Sequence, residues 1–177
     1  MKTAKSLARL LIRRYHTGDP FQLARLLNIP VKFIDTRQQK GFCRIILKNP
    51  FIFINRNMSE QMQRMTCAHE LGHLLLHRQL LTEKQWLLEM ELFDIQNDTE
   101  YEANVFAAQL LSDEKELLEL SERGCDMIAA AAALDVNVNL LMIKMIEMQE
   151  RNGMTLNIPY IPKKNFLGTI GDDAGSF

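Results

Sequence analysis

Residues 66–73 read TCAHELGH, and three of them could do chemistry: His69, Glu70 and His73. Two histidines four residues apart on a helix lie about 40° apart on one face, so their rings can grip a single metal ion. Glu70 points about 100° away from His69, where it can reach a water beside the ion and act as a base without being a ligand. The neighbours favour this reading over an accident of composition. Cys67, Ala68, Leu71, Gly72, Leu74, Leu75 and Leu76 make the helix apolar nearly all round, which places it in the interior. Two imidazoles and a carboxylate are costly there unless a cation compensates them. A chance HExxH on a surface helix would sit among polar residues, whereas Met62, Met65, Leu76 and Leu80 share the histidine face.

A catalytic zinc site takes about three protein ligands and keeps one position open. His77 is excluded as the third, because eight residues of helix rise about 12 Å. Ten residues after His69 stands Gln79. His77 therefore reads as a partly buried structural histidine. The third ligand is expected from the helix DTEYEANVFAAQLL (98–111), whose buried side is marked by Ala103, Phe106, Ala107, Leu110 and Leu111. Glu100 sits at the edge of that side, with Asn104 one turn below. Glu102 lies with Gln109 on the polar side, and Thr99-x-x-Glu102 reads as a capping box. Glu100 is thus the expected ligand, and Asn104 is placed to accept a hydrogen bond from a liganding imidazole.

Several elements must position these residues. Ala4, Leu7, Ala8, Leu11 and Tyr15 recur at helical spacing, so the basic opening MKTAKSLARLLIRRYH reads as a first helix rather than a targeting segment. Asp19-Pro20 starts a second helix over FQLARLLN, ending near Asn28. VKFID, GFCRIIL and FIFIN predict three strands of a small antiparallel sheet, the last two joined by a turn at Lys48-Asn49-Pro50. FIFIN either borders a cleft where a substrate adds as an extra strand or is a plain core strand. Helical periodicity follows over 59–78, 83–93 behind a Thr82-x-x-Gln85 capping box, 100–111, 113–123, 126–134 and 138–151. The expected organisation is one domain over 1–123 built around the HExxH helix, a helical extension over 124–153 packed on it, and an irregular tail over 154–177.

With 177 residues, 47% of them hydrophobic, the chain can build one core. Its 21 basic and 22 acidic residues create no global field for nucleic acid or an anionic membrane. No window approaches the roughly 20 apolar residues of a membrane span. Three cysteines without a CxxC pair argue against a disulfide framework or a zinc knuckle, and so for a reducing, cytoplasmic setting. IAAAAALDVNVNLLMIKMIEM has the spacing of a helix-turn-helix. Around it, though, Asp126, Asp135, Glu147 and Glu150 outnumber Lys144 and Arg151. Direct nucleic-acid binding is not expected of it. Packing or recognition of a protein partner is.

HELGHLLLH (69–77) followed by ExEANxFAAxLL (100–111), with TGDPFQLARLLNIPV and FINRNMSEQMQRMTCAHE leading in, resembles the ImmA/IrrE family of metallopeptidases over about residues 15–112. The resemblance implies a mostly helical, α+β, zincin-like domain of the gluzincin-like kind. It implies a zinc endopeptidase acting on a regulatory protein, typically a helix-turn-helix repressor of a mobile element, prophage or stress response. His69, His73 and Glu100 match the family's metal ligands and Glu70 its catalytic base. The chain departs from the family after Leu110-Leu111, where Ser112-Asp113 replaces the usual Met-Pro. For the donor to a developing oxyanion, Tyr101, Tyr160 and His77 stand equal. A different class of function is a non-catalytic, zinc-containing module that regulates a repressor or toxin by association. The intact Glu70 favours the enzyme, since a purely structural ion needs no base beside it. Nitrogen and carboxylate ligands would also accept manganese or iron.

Overall fold

The computed structural model describes residues 3–37, 39–81 and 96–152. Thr3 caps α1 (Ala4–Tyr15), which buries Ala4, Ala8 and Leu11 as its periodicity predicts. Asp19 caps α2 (Pro20–Leu26) by accepting from the N–H groups of Phe21 and Gln22. This helix stops short of Asn28, which takes a left-handed φ of 56°, and Ile29 N–H returns to the Ala24 carbonyl at 2.9 Å.

Strands β1 (Val31–Ile34), β2 (Gly41–Ile46) and β3 (Asn49–Asn55) form one sheet in the order β1-β3-β2. β2 and β3 are antiparallel, but β1 runs parallel to β3, so the sheet is mixed and not the antiparallel sheet expected. The hairpin takes one edge of β3, β1 takes the other, and the β1–β2 loop must cross the end of β3. Asn55 holds that crossing, its Nδ2 donating to the carbonyls of Thr36 at 2.9 Å and Gln39 at 3.2 Å. The hairpin turn is Leu47-Lys48, both at positive φ (49° and 67°) as a two-residue hairpin demands. Asn49 and Pro50 therefore already belong to β3.

Hydrogen-bond phase decides which groups of β2 remain open. Asn55 N–H donates to the Lys40 carbonyl, so by antiparallel alternation Phe42, Arg44 and Ile46 bond to β3. The main-chain groups of Gly41, Cys43 and Ile45 turn outward, and Pro50 faces Ile45 where no N–H is needed. β3, the FIFIN strand, is central and cannot accept an added strand. Among the described residues, β2 is an open edge.

Ser59 caps α3 (Glu60–Leu76), whose residues 65–72 are all buried. It packs on β2, β3, α2 and α4 (Gln96–Leu111), and α4 packs in turn on α1 and α7 (Val138–Asn152). Because α4 begins at Gln96, Thr99 and Glu102 lie within the helix and do not form the expected N-terminal box. Ser112-Asp113 makes a capped turn into α5 (Glu114–Glu122), with Asp113 accepting from Lys115 and Glu116 N–H. α6 (Met127–Ala133) and α7 meet at 104°. Leu140 and Leu141 of α7 join the same hydrophobic cluster as α3 and α4. Among the described residues no single helix is long and apolar enough to cross a membrane. The expected helix over 83–93 with its capping box, and the expected tail over 154–177, lie outside the described residues. The mostly helical α+β class holds.

Candidate metal centre

The centre forms where α3 and α4 come closest, and glycine permits that approach. A Cβ on Gly72 would lie 3.0 Å from Ala103 Cα and 3.1 Å from its carbonyl oxygen. With that space empty, Glu100 and Asn104, to either side of Ala103, reach the histidines of α3.

His69 is 3% exposed, and its Nδ1 donates to Oδ1 of Asn104 at 2.8 Å. Asn104 is itself only 6% exposed. That bond puts the proton on Nδ1 and leaves the lone pair of Nε2 pointing inward. Nε2 of His73 lies 2.9 Å from it. The two Glu100 carboxylate oxygens stand 3.2 Å from His69 Nε2 and 3.2 Å from His73 Nε2. All three donor atoms fall within 4.8 Å of one another. Electron-rich atoms converging this closely in a buried place need a positive charge among them. A divalent cation with nitrogen and oxygen ligands fits that set.

The electrostatics say the same. Burial pushes the Glu100 carboxyl up, but the adjoining imidazoles of His69 and His73 outweigh it and hold the group well below the usual carboxylate range. Burial pushes His73 down, while the bond to Glu100 and the charges of Glu70 and Glu100 lift it, for a net rise. Glu100 thus stays an anion beside the two imidazoles, a charge that a bound cation would neutralise. His77 caps the end of α3, one turn beyond His73, with ring centroids 5.9 Å apart. Its Nε2 is 3.4 Å from Glu102, so Glu102 serves His77 and stands apart from the centre. Burial and the neighbouring His73 lower the His77 pKa.

Glu70 is 7% exposed and belongs to the same helix without joining the trio. Cys43 on β2 lies near enough to feel that carboxylate: burial first, then the Glu70 charge, push the Cys43 pKa well up. The structure therefore brings together His69, His73, Glu100 and Asn104, with Glu70 alongside. Cys43 was missed. Strand alternation places it on the inner face with Ile45, but nothing in the sequence pairs that face with Glu70. Of the three donors weighed for an oxyanion, Tyr101 donates instead to Glu147 at 3.2 Å, His77 lies beyond His73, and Tyr160 is outside the described residues. In α7, Lys144 is 3% exposed and donates to Gln109 at 2.8 Å, so it is turned inward and away from any phosphate.

A family model described as the IrrE N-terminal-like domain, Peptidase M78, matches residues 13–144. The chain is 35% identical over 108 residues to "Uncharacterized immunity region protein 2" of Bacillus phage phi105, covering 60% of this chain and 66% of that protein. It is 28% identical over 118 residues to "Metallopeptidase ImmA" of Bacillus subtilis (strain 168), covering 67% of this chain and 68% of that one. About two thirds of each relative is thus spanned.

Proposed function

The chain belongs to the IrrE N-terminal-like (Peptidase M78) family, and from that premise we propose that it is a zinc-dependent endopeptidase that cuts a regulatory protein. The observation that carries this is the convergence of His69, His73 and Glu100 within 4.8 Å beside a buried Glu70. The two imidazoles and the carboxylate would hold the ion, with Asn104 fixing the orientation of His69. Bound there, zinc supplies Lewis acidity, bringing a water's pKa towards about 7 and polarising a peptide carbonyl. Glu70 takes the proton of the attacking water and returns it to the leaving amine. Burial of Glu70 and the histidines keeps bulk water from competing for that proton.

The outward main-chain groups of Gly41, Cys43 and Ile45 suit a substrate segment bound as an added antiparallel strand beside the centre. We read the substrate as a helix-turn-helix repressor of a prophage or similar element, and the setting as the reducing cytoplasm. The "immunity region" in the phage relative's name supports that reading. So does the metallopeptidase name of the other relative. The alternative, a zinc-containing module that regulates its partner by association, leaves Glu70 without a role.

The test is incubation of the zinc-loaded protein with the repressor encoded beside it, with and without a chelator, read by intact mass of the repressor. A single cut that the chelator abolishes and added zinc restores is expected. An intact repressor that co-purifies with the protein favours the association module.

A further inference from the structure

Strand β2 lies along α3 in a register fixed at three points. Gly41 rests on Thr66, so closely that a Cβ would come within 2.5 Å of Thr66 Cγ2. Cys43 comes near Glu70. At the far end, Lys48 accepts from Arg78 Nη2 at 3.1 Å. Two residues of strand and four of helix advance by nearly the same length, about 6.6 Å against about 6 Å. If Gly41 sits on Thr66, Cys43 must therefore sit on Glu70. The contact follows from the packing of the two elements, and the glycine makes that packing possible.

Cys43 joins two functions in one residue. Its side chain points inward to the base, while its main-chain N–H and carbonyl face the open edge of β2. We propose that Cys43 is a positioning residue for Glu70: its S–H donates to one carboxylate oxygen and leaves the other to face the water that Glu70 deprotonates. The inference rests on the peptidase reading given above. The environment keeps the group a thiol, since burial and the adjacent carboxylate both disfavour the thiolate. A protonated donor is what a carboxylate needs in order to be held in one rotamer. Neither Cys67, buried in the core, nor Cys125 is placed to do this.

Two readouts on the zinc-loaded protein test the inference. The first is steady-state cleavage of a peptide spanning the bond cut in the repressor. Cys43→Ala should lower kcat about three- to tenfold, the worth of one hydrogen bond, with KM and zinc content unchanged. Cys43→Ser, which keeps a donor, should restore kcat to within about twofold of wild type. An unchanged kcat in Cys43→Ala, or equal losses in both variants with loss of zinc, would overturn the proposal. The second readout needs no activity: the infrared S–H stretch assigned to Cys43 by its loss in Cys43→Ser. It should move to higher wavenumber in Glu70→Ala, as the hydrogen bond is lost. A band that does not move overturns the proposal even if cleavage is seen. A wild-type protein that cuts nothing would sink the peptidase reading, and the S–H band would still decide the Cys43–Glu70 contact.

Discussion

Glu100 and Glu102 are two residues apart on one helix and face different histidines, Glu100 the pair at the centre and Glu102 the one beyond it. Helical phase alone separates them, which is why the sequence could tell them apart: a carboxylate at the edge of an apolar side reaches inward, and one about 200° away does not. The same phase placed Asn104 under His69. We expect Glu100→Ala to cost zinc affinity more than about 100-fold and Asn104→Ala about 10- to 100-fold, while Glu102→Ala stays within about twofold. Competition with a chromophoric chelator measures all three, and equal losses at Glu100 and Glu102 would refute the assignment. Glu102 was misread as a cap because the start of its helix, four residues earlier than its periodicity shows, has little apolar pattern to mark it. Cys43 was invisible for a different reason. Its partner lies on another element, and the register between a strand and a helix is written in packing, which no single-residue pattern reports.

At the scale of elements, the centre depends on how closely α3 and α4 approach. Gly72 sets that distance against the backbone of Ala103, which cannot swing aside as a flexible side chain would. Gly72→Ala gains helix propensity of about 1 kcal/mol but forces the helices apart. We expect a net loss of about 1–3 kcal/mol of stability from the overpacking, with weaker zinc binding although no ligand is touched. Urea titration and chelator competition on the same samples check it; a more stable variant with unchanged affinity would mean the helices are not in such contact. The strands themselves were legible from their Val, Ile and Phe content, but their order was not. Alternation says that a strand exists, whereas the side of β3 that β1 occupies is settled by the hairpin and by the Asn55 bridge to the crossing loop. The turn slipped by one residue because Leu47 and Lys48, at left-handed φ, are not the residues a hairpin turn usually announces.

Across the whole molecule, α7 is tied to α4 by a buried polar group, which explains why a segment with helix-turn-helix spacing is part of the core. Lys144 bonds Gln109, and its pKa is lowered to about 8, by burial first and then by Arg9 and Lys5, against the pull of Glu114 and Asp113. Between about pH 8 and pH 10.5 the unfolded chain holds a proton that the folded one has lost, so this group makes stability rise with pH through that window. The gain should be about 1–3 kcal/mol, and the rise should flatten in Lys144→Met when urea midpoints are compared across that range. A wild-type profile no steeper than the variant's would show that Lys144 stays charged in the fold. The central claim concerns Glu70, because a base beside the ion is what separates an enzyme from a zinc-holding scaffold. Wild type and Glu70→Gln should be co-expressed with the neighbouring repressor, the repressor weighed intact and zinc counted in both proteins. The account predicts equal zinc and a cut repressor with wild type alone; a repressor cut equally by both, or left whole by both at full zinc occupancy, would contradict it.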